Sequence, residues 1–537
     1  MGATTQVLGV SKSASQSLTP FRSILFHESE TDTDINRQET PEFFSDLHLD
    51  QIIESMVAGR EGYDLKPFFK TSLHSVEAIE YRHQILRDLE NQRLFECIQS
   101  FSQEMRNMRG HLAQAEKLHY RRQNESWFLD AVGIYCSAVR RLIHDLKLTD
   151  LRSSGFQGFR EHLAAYIESN DFVSLSAETE KLRSDLSGIR YSLHIHGNRI
   201  KVSRYGGEPD YGADVLQTFE KFEQAAPRQY RFESPSYPDM NHVEAAILDM
   251  VAQLYPEIFT PLDEYCSRHG DYLDSTIRVF DREIQFYVAC LEYAERLKDV
   301  GLAFCYPHVT DRSKELCGRE AFDLALAHHL VNKKLPVVTN DFYLRDPERI
   351  IVVSGPNQGG KTTFARMFGQ LHFLASIGCL VPGTEAKLFL YDRLFTHFEK
   401  KEDIRNLTGK LEDDLLRIHR ILESLTANSI LIMNESFLST TLNDALFLSK
   451  QVMAQVVQRE ILCVTVTFLD ELASFSDTTV SMMSTVSPKD PALRTFKLVR
   501  KPADGLAYAV AIAEKYHLTY PEVKTRIAEN EHERVAS

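Results

Sequence analysis

Eight consecutive residues limit what this chain can fold into more than any other feature: Gly355-Pro356-Asn357-Gln358-Gly359-Gly360-Lys361-Thr362. They spell G-x-x-x-x-G-K-[ST], directly after the apolar run Ile350-Ile351-Val352-Val353 and before a helical pattern over 364–374. That context demands a buried strand, a tight turn and a helix in succession. The glycines let backbone N–H groups turn inward at the helix N-terminus, where unpaired donors and the helix dipole favour phosphate. Lys361 brings a point charge for the outer phosphates of a nucleoside triphosphate, and Thr362 a hydroxyl for Mg²⁺.

Such a loop needs a second phosphate element, an apolar strand ending in a carboxylate. Ile430-Leu431-Ile432-Met433-Asn434-Glu435 fits, with an amide at the position where an aspartate holds the metal. Asn434 can accept a hydrogen bond from a Mg²⁺-bound water but brings no charge, which lowers metal affinity. Glu435 is placed to act as general base on the attacking water. The alternative is a core strand with an incidental Asn-Glu turn.

The 537 residues suffice for about three or four domains. Hydrophobic content of 43% and 26% charged residues suit a folded soluble protein, and no apolar run reaches membrane-spanning length. The formal net charge of −15 excludes a body coated in nucleic-acid-binding surface, so any DNA contact must be a local basic patch. The eight cysteines include no C-x-x-C pair and read as reduced thiols, which places the chain in the cytoplasm.

Periodicity divides the chain. Residues 1–49 read as a polar, poorly ordered segment with no secretory h-region, docking through Phe21, Leu25 and Phe26. Residues 50–330 read as mostly helical. Val76, Ile79, His83, Leu86 and Leu89 share one helical face, as do Ile277, Phe280, Ile284, Tyr287, Leu291 and Ala294. A small β-insert lies near 191–240, where period-two alternation around Gly197-Asn198 predicts a hairpin. From 331 to 520 short apolar runs at 350–353, 430–433, 462–466 and 496–499 alternate with helical segments, the pattern of an α/β domain. A polar tail follows at 521–537.

With these strings assembled, the chain resembles the MutS family of DNA mismatch-repair ATPases, which are of ABC class. The resemblance covers roughly residues 50–520 and is sharpest from Val338. Gly355-Pro356-Asn357-Gln358-Gly359-Gly360-Lys361-Thr362 is similar to the family's G-P-N-M-G-G-K-S. Val338-Thr339-Asn340-Asp341, Leu374-Ala375-Ser376-Ile377-Gly378-Cys379-Leu380-Val381-Pro382 and Asp392-Arg393-Leu394-Phe395-Thr396 resemble further family strings in the family's order. The resemblance implies a P-loop NTPase domain of ABC class preceded by a long, mostly α-helical lever and clamp. It further implies ATP and Mg²⁺ as cofactors, a homodimer closed by ATP, and the hairpin near a clamp tip. There Arg199 and Lys201, with His194, His196 and Arg204 nearby, would meet DNA phosphates without strong sequence or mismatch preference.

Three positions depart from the family's strings. Asn434 replaces an aspartate, Leu411 stands near the expected signature serine after Asn406-Leu407-Thr408-Gly409-Lys410, and Phe468 replaces a switch histidine. The family's mismatch-reading domain finds no room before residue 50. Phe26-His27-Glu28 spells its Phe-x-Glu wedge but lies in a polar stretch, where the match reads as coincidence. Two functions remain open. One is a weak DNA-dependent ATPase of reduced MutS type with nucleotide-driven clamp motion, nucleoid-associated when DNA-bound. The other is an ATP-switched interaction protein that has lost DNA binding and efficient turnover.

Overall fold

The computed structural model describes residues 21–27, 40–208, 240–399, 409–437, 439–487, 493–503 and 518–527. The chain forms two compact units, one of residues 1–22 and 88–281, the other of residues 23–87 and 282–537. This division cuts the chain differently from a linear boundary at 330. Residues 50–87 and 282–330 share a unit with the P-loop, and the Leu73 amide and Arg82 guanidinium donate to the Ser376 and Ile377 carbonyls at the end of the helix that follows it.

Among its described residues the first unit is helical apart from one hairpin. Asn91 caps the helix Gln92–Lys117 by accepting from the Arg93 and Leu94 amides, and Leu94, Ile98, Phe101 and Met105 form its buried stripe. Helices Arg121–Lys147, Ser154–Ile167 and Asn170–Ser187 follow, the last two capped by Ser153 and Ser169. Phe159 stacks on Phe280 with ring centroids 3.5 Å apart. Strands Tyr191–His196 and Arg199–Arg204 pair antiparallel about Gly197-Asn198, with Gly197 in the left-handed region, which glycine enters without steric cost. Residues 209–239 of the expected β-insert lie outside the described residues.

The second unit is built on a six-stranded sheet in the order Leu394–Phe398, Ile430–Asn434, Leu462–Val466, Ile350–Ser354, Thr479–Val486, Arg494–Arg500. The first five are parallel and the last antiparallel. All five residues of Ile350–Ser354, Ile430–Asn434 and Leu462–Val466 are buried, as central parallel strands covered on both faces require. A four-stranded sheet (His308–Thr310, Glu385–Phe389, Leu316–Ala321, Asn340–Leu344) completes the unit's larger strands.

Part of the expected poorly ordered start is well packed. Ile24 and Leu25 are buried, and the Ser23 hydroxyl and Ile24 amide donate to the Glu283 carboxylate at 2.8 and 3.0 Å. Arg366 and Gln370, on the helix that follows the P-loop, donate to the backbone oxygens of Asp46 and Leu47. Gly369 makes this approach possible, since a Cβ there would lie 2.7 Å from the Leu47 methyls. Residues 1–20 and 28–39 lie outside the described residues.

Candidate functional site

Parallel strands deliver their C-terminal ends to one edge of a sheet, and ligands bind in the crevice there. Here that edge collects Ser354, Asn434 and Val466, from three neighbouring strands. The turn after Ser354 places Gly355 at φ 109°, Gln358 at 59° and Gly360 at 91°. Space adds a second demand for glycine. A Cβ on Gly355 would lie 2.9 Å from the Ser484 hydroxyl, and one on Gly359 only 2.3 Å from it. Ser484, from the neighbouring strand Thr479–Val486, is the floor on which the loop rests.

Gly360 caps the helix Lys361–Ser376, so the loop's amides lead into a helix N-terminus. Lys361 is 5% exposed, and its ammonium donates to the Gly355 carbonyl (2.9 Å) and the Asn357 side-chain oxygen (3.2 Å). Burial lowers its pKa, Glu435 opposes that shift, and the charge of Arg494 reinforces it. A cation held desolvated among acceptors is well placed to exchange them for phosphate oxygens.

The sequence-predicted partners converge here. Thr362 donates from Oγ1 to the Asn434 Oδ1 at 2.9 Å, although 72 positions separate them. The Glu435 carboxylate lies 4.0 Å from the Lys361 ammonium, and the Glu435 amide donates to the Val466 carbonyl at 2.9 Å. Pro356 takes part through its backbone, its carbonyl accepting from the Gly359 amide. An open cavity of about 380 Å³ is lined by residues 357–363, Glu435, Leu326 and Phe496.

Phe496 was not singled out from the sequence. It sits at φ 59° inside the last strand, where the Asn340 side chain brackets it, donating to the Phe496 carbonyl and accepting from the Leu498 amide. Ser484 and Asn340 act across the fold, so no local pattern announces them. Asn340 did stand in the quoted string Val338-Thr339-Asn340-Asp341, but only as part of the approach to the loop.

The departures are placed as follows. Phe468 is half exposed just past the strand Leu462–Val466. Leu411 lies in the helix Lys410–Ser424 and packs against the core, and burial raises the pKa of Asp414 behind it. Asn406, Leu407 and Thr408 lie outside the described residues, as does Glu28. Phe26 packs edge-on to Phe68 with the Arg82 guanidinium over its ring.

In the other unit, Arg199 and Lys201 are exposed and pair across the hairpin with His196 and His194. All four share one face of the ribbon. Arg204, grouped with them from the sequence, is engaged elsewhere: it donates to the Leu254 carbonyl and pairs with Glu257 at 2.7 Å. Among the described residues no cluster of three or more metal-ligating side chains occurs.

Fold and site together define an α/β domain with a glycine-rich loop between its central strand Ile350–Ser354 and the helix Lys361–Ser376. The MutS domain V family model matches residues 351–534, and the MutS2 N-terminal domain model matches residues 74–300. The chain is 27% identical over 406 residues to the DNA mismatch repair protein MutS of Ruminiclostridium cellulolyticum, covering 72% of this chain and 44% of that protein. It is 28% identical over 393 residues to MutS of Halalkalibacterium halodurans (69% and 42%), and 32% identical over 142 residues to MutS of Thermosipho melanesiensis (26% and 17%). The chain therefore belongs to the MutS family, and it spans less than half the length of these relatives.

Proposed function

We propose that this chain is a mismatch-repair-related ATPase that binds ATP with Mg²⁺ on residues 355–362 and hydrolyses it slowly. The observation that carries the reading is the convergence of Lys361, Thr362, Asn434 and Glu435 at one sheet edge. The Thr362 hydroxyl and Asn434 amide oxygen are two neutral hard donors 2.9 Å apart, a set that fits Mg²⁺ retaining most of its water. When bound, the cation would neutralise charge on the outer phosphates. Lys361 binds and orients the triphosphate, and the loop amides hold it. Glu435 takes the proton from a water whose oxygen bonds to the terminal phosphorus as ADP leaves.

In this reading the helical residues within 50–330 form a lever and clamp whose motion follows the nucleotide. Arg199 and Lys201, both exposed, contact DNA backbone. Two cations on phosphates carry no base information, so sequence and mismatch preference is small and binding weakens with salt. Dimerisation with a second copy on ATP binding is supported by exposed apolar side chains on the helix Leu442–Gln458, Leu442 (61%) and Phe447 (63%). No helix among the described residues is long and apolar enough to cross a membrane, and the proposed setting is the cytoplasm, at the nucleoid when DNA-bound. A second reading, an ATP-switched interaction protein without turnover or DNA grip, draws support from the uncharged Asn434 and the exposed Phe468.

The test is ATP turnover by the parent and Glu435→Gln, with and without matched, mismatched and four-way-junction DNA at two salt concentrations. The proposal expects slow turnover that Glu435→Gln abolishes. It also expects weak, salt-sensitive DNA binding with at most a few-fold mismatch preference, below most of the ~1–3 kcal/mol a base contact supplies. Turnover unchanged in Glu435→Gln removes the base assignment. ATP binding without turnover or DNA affinity selects the second reading.

A further inference from the structure

Glu435 stands in a segment that its own residues do not favour. Its φ is 53° and that of Phe437 is 64°, so two non-glycine residues flank Ser436 in the left-handed region. Such positions persist only where surrounding contacts over-determine them. Among the described residues, at least three contacts hold this segment. The Glu435 amide donates to the Val466 carbonyl at 2.9 Å, and the Phe437 ring is buried in the core among Met433, Ala445 and Leu469. The third is between side chains: Ser436 Oγ and His397 Nδ1 are 2.9 Å apart.

His397 is fully buried on the strand Leu394–Phe398, and its other ring nitrogen, Nε2, lies 3.8 Å from the Asp414 carboxylate, longer than a hydrogen bond. Asp414 belongs to the helix Lys410–Ser424, which Arg417 fastens to the same strand by donating to the Phe398 carbonyl at 3.1 Å. The 2.9 Å contact is a hydrogen bond in either tautomer, since the Ser436 hydroxyl can donate to a bare Nδ1 or accept from a protonated one. Ser436 immediately follows Glu435, so the bond restrains the backbone that aims the carboxylate at Lys361.

We propose that His397, bonded to Ser436, is a positioning residue that holds Glu435 in its working conformation. This rests on the reading of Glu435 as general base. Displacing a reacting group by about 1 Å can cost up to ~100-fold in rate without weakening ground-state binding.

The experiment measures ATP turnover across substrate concentration for the parent, Ser436→Ala, Ser436→Thr, His397→Leu, the double variant Ser436→Ala/His397→Leu, and Glu435→Gln. Ser436→Ala and His397→Leu should lower kcat by about ten- to a hundred-fold with KM for ATP changed less than about two-fold. Ser436→Thr, which keeps the hydroxyl, should recover most of the loss. The double variant should be no slower than the worse single one, because both break the same link. Melting curves identify a His397→Leu protein that fails to fold, in which case Ser436→Ala against Ser436→Thr decides alone. Parent-like kcat in Ser436→Ala, or equal loss in Ser436→Thr, overturns the positioning role while Glu435→Gln still abolishes turnover. Parent-like turnover in Glu435→Gln, or none in the parent, overturns the general-base reading itself and the positioning role with it.

Discussion

The two halves of the proposed phosphate site reach similar backbone conformations by different means. The P-loop enters the left-handed region at Gly355, Gln358 and Gly360, two of them glycines, and meets the Ser484 hydroxyl where only glycine fits. The segment after the strand Ile430–Asn434 enters it at Glu435 and Phe437, neither of them glycine. The first loop's shape is written into its own residues. The second is imposed by contacts from elsewhere: a core that takes the Phe437 ring, the strand end at Val466 and the His397 imidazole. A loop of the first kind tolerates changes around it and not within it, and one of the second kind the reverse.

The largest expected effect separates these two modes at Phe437. Truncating a fully buried Phe to Ala costs about 3–5 kcal/mol. Glycine is ordinarily worse than alanine by about 0.5–1 kcal/mol, but at φ 64° it escapes a left-handed penalty of about 1–2 kcal/mol. Phe437→Gly should therefore be at least as stable as Phe437→Ala in denaturant titrations. A glycine variant less stable by the ordinary margin would mean that the backbone there carries no strain.

The P-loop should fail from within. Gly359→Ala places a methyl 2.3 Å from the Ser484 hydroxyl and 2.9 Å from the Pro356 carbonyl, and overpacking of this kind costs about 1–3 kcal/mol. Borne by the loop, that corresponds to roughly a ten- to hundred-fold loss of ATP-analogue affinity. Gly359→Ala combined with Ser484→Gly should recover part of it. No recovery would show that the floor residue does not set the loop.

The smallest effect is electrostatic. Asn434→Asp restores a carboxylate beside Thr362 and should raise Mg²⁺ affinity in the presence of ATP by about several-fold, since hard cations gain from ligand charge. Magnesium titration of nucleotide binding measures it, and an unchanged midpoint would place the cation away from Asn434.

The same contrast explains what could be read from the chain. The P-loop, its strand and its helix follow from residues adjacent in sequence, and the hairpin from alternation about Gly197-Asn198. Asn434 and Glu435 were legible as the end of an apolar strand, and the structure brings Asn434 within 2.9 Å of Thr362. Legibility ends where a residue's role depends on a partner far along the chain. Ser436 and His397 are 39 positions apart, and Asn340 and Phe496 are 156 apart. The packing of Asp46 and Leu47 on the P-loop helix spans more than 300 positions, so a stretch read as polar and poorly ordered carries buried side chains. Arg204 looked like one more cation of the hairpin, but a carbonyl and Glu257 engage it.

The central claim is that residues 355–362 bind a nucleoside triphosphate through Lys361, and titration of a fluorescent ATP analogue with Mg²⁺ tests it most directly. The parent should bind saturably. Lys361→Ala should lose at least about a hundred-fold in affinity, as removal of a charge-assisted phosphate contact from a buried site implies. Because Lys361 also donates to the Gly355 carbonyl and to Asn357, melting curves of both proteins must show the variant folded. Equal affinity in the two folded proteins, or no binding by the parent, would contradict the account.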